Sequence, residues 1–254
     1  MITNYIRPQT LEEVIKLLSN PNTRPLGGGT ILSHQGDESI AVVDLQGIAL
    51  NKIHKAGNNL EIGATVTLQA LVENPYTINA FKTAINLTAP LNLRNMGTVA
   101  GTLVTSNGRS PFATVLLALD GKIEICDALL KKNNISVGDL LPLRGEILPG
   151  KLITQIEIPL QTKLAFETVA RSPMDKPIVC ASLAKWPSGR MRLVIGGWGK
   201  SPTLAMDGKE ESAAETAARN AAHDANDEWA SAEYRSESAG VLTKRCLENI
   251  NSER

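Results

Sequence analysis

Apolar residues recur at helical spacing behind Thr10, at Leu11, Val14, Ile15 and Leu18, and Thr10 with Glu13 makes a capping box, so a first helix is predicted there. The run "IAVVDL" gathers β-branched residues between polar ends and reads as a short buried strand. The opening segment is therefore expected to run strand, helix, loop, strand. In "NLEIGATVTLQALVEN" a strand through Ile62 precedes a helix starting near Thr67 and carrying Leu68, Leu71 and Val72. The stretch "AINLTAPLNLRNMGTVAGTLVTSNGRSPFATVLLALDGKIEI" is expected to run helix, glycine-containing strand or loop, helix, strand.

Pro142, Pro149 and Gly150 are expected to break the chain before "KLITQIEIPL", where Leu152, Ile156 and Ile158 suit a strand, with a domain boundary just beyond. Then "AFETVARS", "PIVCASLAKW" and "RMRLVIGGWG" are three strand-like runs separated by turn residues, the pattern of an antiparallel meander. The alanine-rich "ESAAETAARNAA" is a helix former in which Glu215 and Arg219 form a favourably oriented i, i+4 pair. A last helix is predicted to carry Tyr234, Ser238, Val241, Leu242 and Ile250 on or near one face. The C-terminal third reads as a small sheet covered by helices.

A chain of 254 residues can bury a sizeable core, as one domain with subdomains or as two domains. Lys plus Arg and Asp plus Glu are both 26, so no overall field draws it to nucleic acid or to an acidic membrane. Its longest apolar stretches fall far short of the roughly 20 residues that span a bilayer, and "MITNYIRPQT" lacks a signal-peptide pattern. A cytoplasmic protein without membrane insertion is expected.

Cys126, Cys180 and Cys246 lie far apart without a CxxC pair, which argues for isolated thiols and against a metal site or iron–sulfur cluster within this chain. His34, His54 and His223 are likewise isolated. "GWGKSP" ends like a P-loop, but Val194 stands where that motif needs glycine. "GRSPF" lacks the closing glycine of a nucleophile elbow, and Leu32 replaces the third glycine of a GxGxxG that Gly27 and Gly29 would begin. Hydrolase and nucleotide-hydrolysis readings find no support.

Glycine is what remains. Gly27, Gly28 and Gly29 in "RPLGGGTILSHQ" serve either a backbone turn that only glycine makes or the close approach of another group. A second small-residue loop, "RNMGTVAGTLVTSNG", follows later in the chain.

Together, "PLGGGTILS" and "LRNMGTVAGTL…LLALD" resemble the two FAD pyrophosphate loops of the flavoprotein subunits of molybdenum hydroxylases, the xanthine dehydrogenase and carbon monoxide dehydrogenase family. The similarity extends through "FETVARSPMDKPIVCASLA", "VIGGWGKSPTLA" and "SAEYRSESAGVLTKRCL", and so over essentially the whole chain. It implies an α+β protein. Residues 1–160 would form a two-subdomain FAD-binding domain of the vanillyl-alcohol-oxidase/PCMH type, with subdomains of about 1–55 and 56–160, and 161–254 a C-terminal antiparallel sheet with helices.

The resemblance implies noncovalent FAD, with molybdopterin and iron–sulfur clusters held only by a large and a small partner subunit. The function implied is electron transfer from iron–sulfur centres to NAD, a quinone, oxygen or another acceptor. The cofactor-binding residues it implies are Leu26, Gly27, Gly28, Gly29, Thr30, Ile31 and Leu32 in the first loop, and Asn95, Thr98, Val99, Ala100, Gly101 and Thr102 in the second. Asn107, Ile153 and Asp175 complete the set, Asp175 with Arg171 serving equally well as a salt bridge or turn cap. Backbone N–H groups aimed inward from small residues are well suited to a pyrophosphate. The chain departs from the family at Ala100 (commonly glycine), Thr102 (asparagine), Pro111 (aspartate) and Glu167 or Thr168 (lysine).

Overall fold

The computed structural model describes residues 1–33, 38–172 and 175–252; His34 lies outside them. The chain begins with β1 (Ile2–Ile6), α1 (Leu11–Leu18), β2 (Thr23–Leu26), β3 (Ile40–Asp44), β4 (Ile53–Ala56) and β5 (Asn59–Gly63). Next come α2 (Leu68–Glu73), α3 (Asn79–Thr88), α4 (Leu91–Arg94), α5 (Val99–Val104), α6 (Pro111–Ala118), β6 (Lys122–Cys126), β7 (Lys132–Ser136), α7 (Val137–Ile147) and β8 (Leu152–Pro159). The last third holds β9 (Lys163–Val169), β10 (Val179–Lys185), β11 (Met191–Gly196), β12 (Thr203–Gly208), α8 (Ala214–Ala221) and α9 (Ala232–Ser252). Two compact units result: 1–74 with 91–105 and 122–157, and 75–90 with 106–121 and 158–254.

In the first unit a three-stranded parallel sheet has the order β1-β3-β2. Helix α1 forms as its pattern predicts: Thr10 accepts the Glu13 N–H at 3.2 Å. The Glu13 carboxylate reaches one residue further back than a standard capping box, accepting the Gln9 N–H at 2.9 Å. Its buried residues Val14, Ile15 and Leu18 pack with Val43 and Leu45. A five-stranded sheet of order β4-β5-β8-β6-β7 completes this unit's strands.

Two expectations fail here. Pro142 does not break the chain but lies inside α7, which Ser136 caps by accepting the Asp139 N–H at 3.0 Å and which buries Val137, Leu140 and Leu141. The proline gives up one backbone bond, the one a residue with an N–H would make to the Gly138 carbonyl. The glycine-containing segment after α3 is neither strand nor plain loop. It forms α4 and α5, the latter opened by Thr98, whose hydroxyl accepts the Gly101 N–H at 3.2 Å.

The second unit is an antiparallel sheet of order β12-β11-β10-β9, packed with α3, α6, α8 and α9. Four strands stand where three are predicted. The additional strand β12 has little β-propensity, and Asp207 ties it to Arg190, just before β11, at 2.7 Å and to Arg192 of β11 at 2.8 Å. The Glu215–Arg219 pair is also replaced, because Arg219 pairs with Glu237 of α9. On α9 the buried stripe runs through Arg235, Ala239, Leu242, Cys246 and Ile250, while Tyr234 and Val241 are exposed. An apolar-only pattern misses that register because an arginine occupies its first position. The α+β class and the closing antiparallel sheet are as expected.

Candidate functional site

The first glycine loop leaves the C-terminal end of β2, a parallel strand, and the Ser33 N–H donates to the Gly29 carbonyl at 3.2 Å to close a single helical turn over Thr30, Ile31 and Leu32. Gly29 has φ +69, a left-handed conformation that glycine takes without penalty. A turn of this kind aims successive N–H groups to one side as an anion-binding concavity. Among the described residues, nothing accepts the N–H groups of Gly27, Gly28, Gly29 or Thr30. All of these residues are partly exposed. A glycine cradle with uncommitted donors fits a pyrophosphate.

The second loop is built differently. Its Gly97 carbonyl accepts the Leu68 N–H at 2.9 Å, and its Val99 and Ala100 N–H groups donate to Val66 at 2.9 Å and Ala64 at 3.2 Å. The Gly101 and Thr102 N–H groups close the first turn of α5 on the Thr98 hydroxyl and carbonyl. Ala64 in turn donates to Thr154 of β8 at 3.0 Å, so this loop is stitched to the five-stranded sheet.

The two loops touch. A Cβ on Gly28 would lie 1.7 Å from the Met96 carbonyl oxygen, and one on Gly27 would lie 2.7 Å from the Thr98 hydroxyl. The sequence offers two readings of the glycines, and close approach holds at Gly27 and Gly28, which permit loop-on-loop contact, while no described group accepts their N–H groups. Nothing in the sequence signals the partnership of Gly28 with Met96, which is exposed and apolar.

The remaining predicted residues are more dispersed. Asn95 is exposed at the end of α4, its N–H bonded to Leu91 at 3.0 Å. Ile153 is 5% exposed on β8 opposite Ile125. Asn107 and Asp175 belong to the second unit. There the Asn107 side chain accepts the Arg109 N–H at 3.0 Å, and Asp175 pairs with Arg171 at 3.3 Å. Pro111, at the family's aspartate position, is the first residue of α6, where a missing N–H costs nothing.

Around Asp175 lies a hollow of about 280 Å³, lined among others by Thr168, Arg171, Ser172 and Pro177. Arg109 and Arg171 both stack on Trp229, at 4.5 and 4.6 Å from the ring centroid. Behind them Arg235 is fully buried; it donates to the carbonyls of Ile178, Ala225 and Gly197 and to Asp227 at 2.8 Å. Burial works to raise the Asp227 carboxyl, but bonds from Arg235 and the N–H groups of Trp229 and Ala230 outweigh it and hold the group below the ordinary carboxylate range. Sequence reading missed this arginine, since a charged residue inside a helical stripe gives no apolar signal.

A glycine cradle at the end of a parallel strand is a geometry suited to an anionic group. The comparisons make the class specific. Residues 1–161 match the family described as FAD binding domain in molybdopterin dehydrogenase, and the chain belongs to that family. It is an FAD-binding oxidoreductase component.

Among curated relatives, it is 27% identical to the glyceraldehyde dehydrogenase medium chain of Sulfolobus acidocaldarius, covering 80% of this chain and 78% of the relative. It is 24% identical to the carbon monoxide dehydrogenase medium chain of Afipia carboxidovorans, covering 98% and 96%. Among solved structures, quinoline 2-oxidoreductase from Pseudomonas putida 86 superposes with a TM-score of 0.83 at 23% identity, over 97% of this chain and 96% of that one. The Cu,Mo-CO dehydrogenase does so with a TM-score of 0.84 at 22% identity, over 100% and 99%. These two likenesses establish the fold.

Proposed function

We propose that this chain is the flavin-carrying medium subunit of a cytoplasmic molybdenum hydroxylase complex, assembled with a large molybdopterin subunit and a small iron–sulfur subunit. The observation that carries the reading is the set of uncommitted N–H groups from Gly27 to Thr30 on a loop with Gly29 at φ +69. Residues 1–160 form the flavin domain and 161–254 the C-terminal domain; the family match over 1–161 supports that division. The medium-chain names of the two curated relatives support the place in a multi-subunit assembly.

FAD, when bound, supplies the coupling between one-electron delivery and two-electron acceptor chemistry, with the protein providing binding and orientation. The first loop binds the diphosphate, and the acceptor is NAD, a quinone or oxygen. Among the described residues no helix is long and apolar enough to cross a membrane.

Purification of the native assembly tests this reading. One FAD per chain is expected, released into the supernatant by acid precipitation because attachment is noncovalent, together with co-purifying large and small partners. A chain that takes up no flavin even on reconstitution would return it to a scaffold role, and a flavin protein without partners would make it a stand-alone oxidoreductase.

A further inference from the structure

We infer that the sheet end where β9 begins and β10 ends is a binding site for a small organic carboxylate with an aromatic ring, built from none of the residues assigned to the flavin. In the β9–β10 register Lys163 stands directly opposite Lys185. Both line a hollow of about 580 Å³, within the range of about 300–1,000 Å³ typical of small-molecule sites. Side chains directly opposed in a sheet share one face, and like charges there are destabilising. A bound anion offsets that cost.

The end of α9 forms another wall of the hollow, through Ile250 and Asn251. Lys163 Nζ donates to the Ile250 carbonyl at 3.3 Å, a common way to close a helix C-terminus. Lys185 Nζ donates to Glu211 at 3.1 Å and to the Asn251 side chain at 3.4 Å. An ammonium has three N–H groups, so Lys185 keeps one for a ligand.

The next residue, Trp186, is half-buried and lines the same hollow. Its N–H donates to the Arg190 carbonyl at 2.9 Å and its carbonyl accepts the Gly189 N–H at 2.9 Å, which closes the turn into β11. The Arg190 guanidinium lies over its ring, 5.0 Å from the centroid. The indole is thereby held in place, and no described residue accepts its N–H. Thr162, 7% exposed, also lines the hollow, and its hydroxyl is buried without a partner among the described residues.

The chemistry of the ligand follows from these groups. A carboxylate only accepts hydrogen bonds, and Lys185 and the indole N–H are donors, one of them charged. Trp186 and Pro187 give the hollow an apolar wall for a ring to pack on. An inorganic anion leaves that wall unused, and a neutral ring leaves the lysines unanswered.

The test titrates the full chain with benzoate, followed by ligand-observed NMR, beside benzyl alcohol as a ring without charge and inorganic phosphate as a charge without a ring. Benzoate is expected to bind with a Kd on the order of 1 mM or tighter, and each of the other two at least about tenfold more weakly. Lys185→Met and Trp186→Leu are each expected to weaken benzoate about tenfold, with far-ultraviolet circular dichroism matching the parent. Should one of them fail to fold, the other carries the test. Absence of benzoate binding up to about 10 mM, phosphate binding as tight as benzoate, or parental benzoate affinity in a folded variant overturns the inference.

Discussion

Two glycine clusters in this molecule look alike in sequence and do opposite things. The first, Gly27 to Gly29, leans on the second loop; the other, Gly196, Gly197 and Gly199 of β11 and the turn after it, is knotted to Gly108. Both use the missing Cβ for backbone contact. A Cβ on Gly108 would lie 1.5 Å from the Trp198 oxygen, and one on Gly197 2.1 Å from the Ile178 oxygen, much as at Gly28. The amides differ. Gly197 donates to Gly108 at 2.6 Å and Gly108 to Gly199 at 3.0 Å, and Arg235 covers the carbonyls of Gly197 and Ile178.

At Gly27 to Thr30 no described group accepts the N–H groups. Glycine density thus reports close approach, and the two clusters part at the amides of Gly108 and Gly197, which are bonded, and of Gly27 to Thr30, which leave donors for a ligand. The Gly-Lys-Ser of "GWGKSP", which mimics a phosphate loop, belongs to the closed knot.

The sharpest way to break the comparison is Gly108→Ala. Forcing a methyl into a backbone carbonyl is overpacking, and a loss on the order of 3 kcal/mol or more is expected in denaturant unfolding. A loss within about 0.5 kcal/mol would mean that the knot is not close-packed. Next comes Arg235→Met, which strands the carbonyls of Ile178, Ala225 and Gly197 and the Asp227 carboxylate. About 3 kcal/mol should be lost, read as a lowered melting temperature. Unchanged melting would show that the arginine is not the knot's keystone.

A smaller effect is expected at the ion-pair cluster beside the same sheet. Bonds from Arg190 first, and attraction from Arg192, outweigh burial and hold Asp207 below its ordinary range. Its contribution is fully present above the unfolded pKa of about 3.9 and is lost as pH falls through the lower folded value. Asp207→Asn should therefore cost about 1 kcal/mol at neutral pH, and the gap to the parent should close below about pH 4. A gap that widens on acidification contradicts the assignment. The smallest effect belongs to Glu215→Ala, expected within about 0.3 kcal/mol because Arg219 pairs with Glu237 instead.

Much of the fold is legible in the sequence where one local rule dominates. Capping and periodicity give α1, β-branched clustering gives β3, and alternating turn residues give the strands of the last sheet. Legibility ends where tertiary contacts outweigh local preference. Helix α7 keeps Pro142 because a cap and a buried face anchor it, β12 is recruited by the arginines of its neighbour, and the stripe of α9 begins at a buried arginine. The candidate site divides the same way. The glycines of both loops are visible as residues, but whether an amide is spent on Ala64 or left open is a property of partners remote in sequence.

Amide hydrogen exchange followed with and without FAD tests this contrast most directly. Exchange at Gly27 to Thr30 should be fast in the flavin-free protein and strongly slowed by FAD. The amides of Val99, Ala100, Gly108 and Gly197, already bonded, should be protected from the start and change little. Amides at Gly27 to Thr30 that are protected without flavin, or that stay unprotected when FAD is bound, would contradict the assignment of the open loop as the cofactor's anchor.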